Sequence, residues 1–315
     1  MIRRGNIMID AYLEDMHWKQ SKDRRFIPLF SVYDRQALKT VMRYCNEVSF
    51  NYFQLRSSKY YKDAKSRGIR DAFNINDDIR IFLTSTAKDE QLTRFYDSGG
   101  AEEYRSDVQT LGVDLAMGPD WFTYEDQSLE TRERCLQKSI DLNQKCIDIE
   151  TVLPNIHGTN FQEMQRFIET FKEQGKLEFV MPGREYLINR GHRTRDQKKL
   201  AALTSSITRL EEVKLIVTGC SSPKLMFEMP DVAAFCGFGW VIQSRYRRLI
   251  YNKTYLHILN PLFECKDNRC CGTYDKEELV QPTTSSIRAL HNFLQIDSQI
   301  NEVSTDYQGC LMIDG

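Results

Sequence analysis

Short apolar runs alternate with helix-period segments along nearly the whole chain, and most runs stop at a Gly, a Pro or an acid. No other feature constrains the fold as strongly. Strands joined through helices pair in parallel, and parallel strands buried on both faces read as continuous apolar runs. The runs are Phe26–Val32, Val48–Phe53, Ile79–Leu83, Arg94–Asp97, Val113–Trp121, Thr151–Gly158, Leu177–Gly183, Val213–Gly219 and Val232–Trp240. Helical spacing appears over 35–46, 128–146, 160–174 and 198–211. The clearest helix is 160–174: Asn160 can cap it, Glu163 can close a capping box, and Gly175 stops it. Eight or nine strands of this kind predict an α/β fold, a (β/α)8 TIM barrel, with an open doubly wound sheet as the competitor. Neither G-x-G-x-x-G nor a P-loop occurs, which speaks against dinucleotide and nucleoside-triphosphate binding.

Residues 1–25 are polar and read as an extension across the outside of the barrel; 26–315 form the barrel domain, including a metal-binding region over 260–300. No apolar stretch is long enough to span a membrane, and MIRRGNIMIDAYLEDM lacks the apolar core of a secretory signal. Nine scattered cysteines, an odd number, suit a reduced cytoplasmic chain better than a disulfide framework. Net charge is −1, so any nucleic-acid surface must be local. Basic runs lie at 56–70, at 184–199 (Arg184, Arg193, Arg195) and at 245–253 (Arg245, Arg247, Arg248). Each run reads either as a phosphate-contacting surface or as a solvated charged face.

Two stretches carry more specific chemistry. In Arg94-Phe95-Tyr96-Asp97-Ser98-Gly99-Gly100, a strand would end in an Asp and a Gly-rich turn, which places a carboxylate at a barrel mouth. The plain alternative is a turn and nothing more. Near the C-terminus, Cys265, Cys270 and Cys271 precede His291, which sits on a helix with Ile287, Leu290 and Leu294. Three thiols and an imidazole can make a closed tetrahedral zinc site.

Taken in order, Tyr96-Asp97-Ser98-Gly99-Gly100, Val113–Met117 with Asp120, Asn155-Ile156-His157-Gly158, Val180-Met181-Pro182-Gly183, Ile216–Gly219, the Cys cluster and His291-Asn292 resemble the tRNA-guanine transglycosylase superfamily over roughly 26–300. The resemblance implies a zinc-containing TIM barrel that exchanges guanine for a 7-deazaguanine base (preQ0- or preQ1-like). It implies that Asp97 handles protons at the base and that Asp120 reads the purine-like edge. Ser98, Gly99, Gly100, His157, Gly158 and Gly183 would line the base, with His157 where the tRNA enzymes usually have Gln. The zinc pattern of the tRNA enzymes is C-x-C-x-x-C. Here Asp267 takes the middle place and Cys271 follows, so Cys271 or Asp267 would complete the site.

The nucleophile motif is absent. Asp231 is the carboxylate in its segment and would attack C1′, unless Phe235-Cys236 is the displaced motif and Asp231 is structural. These departures resemble the branch that modifies DNA, the 7-deazaguanine DNA transglycosylases of phages and bacteria. DNA is therefore the expected partner, tRNA the alternative, and a non-catalytic nucleic-acid-binding subunit of the family a further one. The location would be cytoplasmic (the host cytoplasm for a phage protein), and a homodimer is compatible with the family. A carboxylate nucleophile holding the sugar while bases exchange would retain configuration.

Overall fold

The computed structural model describes residues 24–183 and 193–310, with backbone alone for 193–196 and 301–310. The extension expected over 1–25 lies outside the described residues as far as residue 23. Eight strands run parallel in one sheet: β1 (Arg25–Phe30), β2 (Glu47–Asn51), β3 (Arg80–Thr84), β4 (Leu115–Met117), β5 (Val152–Leu153), β6 (Glu178–Pro182), β7 (Lys214–Thr218) and β8 (Ala234–Gly237). Their order is β5-β4-β3-β2-β1-β8-β7-β6, which is sequential around a ring. The two ends of that order meet just beyond β5, where Asn155 pairs in parallel with Val180. There the Ile156 N–H donates to the Val180 carbonyl at 2.7 Å and the Val180 N–H to the Pro154 carbonyl at 2.9 Å. The sheet is therefore a (β/α)8 barrel and not an open doubly wound sheet.

The alternation inside each strand sorts side chains between two cores. Ile27, Phe82, Met117, Leu153, Val180, Ile216, Ala234 and Cys236 fill the barrel interior. Their strand neighbours, such as Ile81, Leu83, Phe179, Met181, Leu215 and Val217, face the helices. Each large side chain so buried contributes about 1.5–3 kcal/mol relative to leaving it in water. The amino end is plugged by Glu47, which pairs with Arg25 and, at 3.0 Å, with Arg80.

The helices follow the strands: α1 (Arg35–Val41), α2 (Tyr52–Arg56), α3 (Tyr61–Phe73), α4 (Asp89–Asp97), α5 (Gly100–Thr110), α6 (Leu129–Gln144), α7 (Phe161–Lys172), α8 (Arg193–Leu210), α9 (Pro223–Phe227) and α10 (Gly239–Arg245). The α7 cap forms as expected, with the Asn160 side chain accepting the Glu163 N–H at 3.0 Å. The Glu163 carboxylate, however, takes the Thr159 N–H at 2.7 Å and not that of Asn160. After the barrel come an antiparallel hairpin, β9 (Arg248–Tyr251) with β10 (Thr254–His257), then α11 (Lys276–Val280) and the long α12 (Ser285–Cys310). The α12 helix packs on β1, β9, α1, α9 and α10. None of the helices is long and apolar enough to cross a membrane, among the described residues.

One expected strand is a helix. Arg94–Asp97 is the last turn of α4, an extra helix between β3 and α5. Leu92, Phe95 and Tyr96 bury one face at i, i+3, i+4 spacing, and Asp89 and Glu90 stand in the first turn, where the helix dipole favours acids. Gly99, at φ +86°, supplies the left-handed turn into α5.

Candidate functional site

The carboxyl end of the barrel gathers a buried polar group from two loops. Asp120 lies three residues beyond β4. Asn155 and His157 lie two and four residues beyond Leu153 in extended chain, so period-2 alternation puts both on one face. All three side chains are buried, His157 and Asn155 fully. The Asn155 amide donates to Asp120 Oδ1 at 3.0 Å and stands 2.8 Å from His157 Nε2. His157 Nε2 is 3.1 Å from Asp120 Oδ1, and the Trp121 N–H points to the same nitrogen at 3.4 Å. Asn143 of α6 ties the two loops together, donating to the Pro119 carbonyl at 3.0 Å and accepting the Asn155 N–H at 2.9 Å.

This group is not fully satisfied from within. Asn155 Oδ1, Trp121 Nε1 and Thr123 Oγ1 are buried without a hydrogen-bond partner among the described residues. A buried polar atom left unpaired costs about 1–3 kcal/mol, so such atoms mark a place that a ligand or water completes. Around them stand aromatic rings: Trp121 stacks on Phe122 at 4.8 Å, and Tyr96 meets Trp121 edge-on at 6.3 Å. Burial pushes the Tyr96 phenol well above its usual range, so it stays a neutral O–H.

Asp97 and Asp231 fall in different places. Asp97 ends α4, is exposed, and pairs with Lys138 Nζ at 3.0 Å; that ammonium also lies 4.9 Å from the centre of the Trp121 ring. Asp97 therefore stands at the rim of the mouth, one cation away from Trp121, and not at the end of a strand. Asp231 precedes β8, at the amino end of the barrel. Its side chain is buried and held by Ser205 Oγ at 2.9 Å and by Arg209 Nε at 2.9 Å. One bound nucleotide cannot touch both Asp231 and Asp120, because the barrel interior separates them. Cys236, in the displaced-motif alternative, points into that interior, where burial pushes its thiol up to about 12.

The glycines have internal reasons. A Cβ on Gly100 would stand 2.5 Å from the Phe95 carbonyl, and one on Gly183 would stand 2.7 Å from Val217 Cγ1. These two keep α5 close to α4 and the β6 end close to β7. Gly158 packs in the same way on Met164 of α7. Ser98 is exposed, its hydroxyl donating back to the Phe95 carbonyl at 2.8 Å.

The second cluster lies where α12 crosses the hairpin. Cys265, Cys270 and His291 bring their Sγ and ring nitrogen atoms within 4.8 Å of one another, an arrangement that can hold a metal ion. The thiols of Cys265 and Cys270 are 3.9 Å apart, and Cys270 Sγ is 3.5 Å from His291 Nδ1. The His291 Nε2–H donates to the Ile250 carbonyl at 3.0 Å, which leaves the Nδ1 lone pair for a metal. Asn292, the next residue, donates to the Trp240 and Arg248 carbonyls at 3.0 and 3.1 Å and locks the helix to the hairpin. The Cys271 thiol lies against those of Cys265 and Cys270. Hydrogen bonds from Cys270 and Cys271 hold the Cys265 thiol well below its ordinary range, as a thiolate. Asp267 is engaged by Arg269 Nη2 at 2.6 Å and Nε at 2.9 Å, and neither it nor Cys271 belongs to the group whose ligand atoms all lie within 4.8 Å of one another.

The basic runs divide. In 56–70, Arg56 pairs with Glu103, Lys65 with Asp107, Arg67 with Asp63 and Arg70 with Asp114, so this run is largely neutralised from within. In 245–253, Arg245 is taken by Asp34, whereas Arg247 and Arg248 are exposed. Arg184 lies outside the described residues, as do the side chains of Arg193 and Arg195. Sequence reasoning placed Asn155 and Trp121 in motifs without giving either a role. The Asn-x-His alternation was the signal for Asn155. Nothing local marks Lys138, which reaches the mouth from α6. A scan against protein-family models finds no match to the chain, and a search of curated proteins finds none.

Proposed function

We propose that the chain is a base-exchanging transglycosylase that replaces guanine in nucleic acid, DNA before tRNA, with a 7-deazaguanine. The observation that carries this reading is the buried, incompletely satisfied group Asp120–Asn155–His157 beside Trp121 at the carboxyl end of the barrel. A guanine-type base presents N–H donors and a carbonyl. Asp120 and Asn155 Oδ1 supply acceptors for the first, and the Trp121 indole N–H supplies a donor for the second. A target base must leave its stack to reach such a site. In the exchange, the C1′–N bond to guanine breaks and a C1′–N bond to the incoming base forms at the same carbon, and the proton that guanine's ring nitrogen gains on leaving is the one the incoming base gives up. Asp97 keeps the proton-handling role, and Asp231 has none in the chemistry. Phosphates would fall to Arg247 and Arg248. The free thiols among the described cysteines suit action in the cytoplasm, and a homodimer would be read by sedimentation.

The cluster of Cys265, Cys270, Cys271 and His291 would hold zinc. A tetrahedral zinc with S at about 2.3 Å and N at about 2.05 Å puts ligand pairs about 3.8 Å (S···S) and about 3.5 Å (S···N) apart. The sulfurs of Cys265 and Cys270 are 3.9 Å apart, and Cys270 is 3.5 Å from His291. Four protein ligands make such a site structural: it would staple the hairpin to α12.

A second reading has one observation in its favour. With Asp231 at the wrong end of the barrel, the chain would bind base and nucleic acid without exchanging them, as the binding subunit of a partner. Incubation with labelled guanine and either DNA or tRNA, followed by nucleoside mass spectrometry and a search for a covalent adduct, separates the two. Label incorporated by the isolated chain supports exchange. No incorporation, together with retained base binding, supports the subunit reading, and binding of neither base nor nucleic acid overturns both.

A further inference from the structure

The side of α4 that carries Gln91, Arg94 and Phe95 borders a cleft of about 460 Å³ beyond the carboxyl ends of β2 and β3. Its walls are α2 and α4, held in register by the Asn51 amide, which donates to the Thr86 carbonyl at 2.7 Å. Phe53 and Phe95 form its floor, edge to face with centroids 5.2 Å apart. Arg56 lies 4.9 Å from the centre of the Phe95 ring and is fixed there by Glu103 at 2.7 and 3.0 Å. Lys88 and Arg94 stand on the rim, exposed and without a carboxylate partner among the described residues. Glu90 also stands on the wall, in no ion pair with either cation.

We propose that this cleft binds the nucleotide next to the target, with its phosphates on Lys88 and Arg94 and its base against Phe95 and Arg56; the proposal rests on the nucleic-acid reading above. Two cations that the fold leaves uncompensated beside an aromatic floor are what a sequence-independent single-strand contact requires. Adjacency supplies the rest. Tyr96 meets Trp121 beside the Asp120 group, and the Phe95 ring, 5.1 Å from that of Tyr96, borders the cleft. A strand that delivers one base to Asp120 then passes its neighbour over the same helix. Arg56, neutralised by Glu103, offers a flat guanidinium for stacking and not a free charge.

The test is the salt dependence of binding to a fluorescein-labelled single-stranded DNA 12-mer and its RNA counterpart. Wild type is compared with Lys88→Ala/Arg94→Ala, with Lys214→Ala at the amino end of the barrel, and with Asp120→Asn. Removing two phosphate contacts lowers the slope of log K against log salt by about 1.4 and weakens binding by about 10-fold at 0.1 M salt. Lys214→Ala keeps the wild-type slope and affinity, while Asp120→Asn keeps the slope and loses affinity for the base alone. A double variant with unchanged slope and affinity overturns the cleft while leaving the base reading intact. A slope lost in the double variant of a chain that never exchanges base supports the cleft and defeats the exchange reading. A wild-type chain that binds neither strand defeats both. Thermal melting of the double variant within about 1 °C of wild type excludes misfolding, since exposed substitutions of this kind change stability little.

Discussion

His157 Nε2 lies 3.1 Å from Asp120 Oδ1 with both side chains inside the protein, and the Asn155 amide touches both. The imidazole and the carboxylate are held side by side, and the Asn155 amide fixes the carboxylate from the side. The arrangement joins the ends of two adjacent strands, so it is at once part of the fold and the most polar point of the mouth.

Asp120→Asn is expected to abolish guanine exchange and to weaken base binding by at least 10-fold, because an amide puts an NH2 donor where the carboxylate has its second acceptor oxygen. His157→Gln keeps a hydrogen-bonding group and is expected to fold. His157→Leu strands the Asp120 carboxylate and costs about 2–4 kcal/mol in urea unfolding. Equal stability of the two His157 variants would show that the contact does not matter to the fold.

Asp231→Asn tests the end of the barrel at which the chemistry sits. Its partner Arg209 is half exposed, so the ion pair is partly screened and the expected loss is about 1–2 kcal/mol. Exchange, or base binding in the subunit reading, is expected to stay within about 2-fold of wild type, since the site is at the other end. Loss of exchange with unchanged melting would return Asp231 to the reaction.

One metal ion per chain is expected by elemental analysis, lost in Cys270→Ser and in His291→Ala. A chelator is expected to destabilise the packing of the β9–β10 hairpin on α12, read as faster amide exchange over 248–300. Protection that is indifferent to the chelator would mean that Asn292 and the apolar contacts of α12 suffice.

Alkaline pH has its own signature. Burial pushes the thiols of Cys220 and Cys236 up to about 12 from an ordinary value near 9. A raised folded-state pKa on an acid means that the folded chain keeps a proton the unfolded chain gives up. The stability these thiols lend is complete below about pH 9 and is lost as pH climbs toward 12. The melting temperature is therefore expected to fall between pH 9 and 11, less steeply in Cys236→Ala than in wild type. Below pH 9 these two thiols are expected to resist iodoacetamide, while the Cys265 thiolate in the metal-free chain reacts, as peptide mass spectrometry would show.

All eight barrel strands match runs that read as strands in the sequence, three of them extending one residue beyond the run, because a strand buried on both faces has to be continuously apolar and the turn residues that end it are conspicuous. The Cys265–His291 grouping was legible from residue type, three thiols within seven residues followed by an imidazole on a helix, while the packing of α12 on the hairpin brings them together. Arg94–Asp97 misled because four residues do not distinguish period 2 from period 3.6. Only Leu92 and the acids at 89 and 90, set before the run, fix it as the end of a helix. Asp120, Asn155 and His157 were each visible as strand-end residues. That they meet, and that Lys138 and Asp97 join them at the rim while Asp231 does not, depends on which end of each strand points to the mouth and how far each loop turns back. Strand direction and closure are global properties of the barrel, set when β5 and β6 pair. Local sequence specifies the strands and their polar ends; the closed ring decides which of those ends face one another.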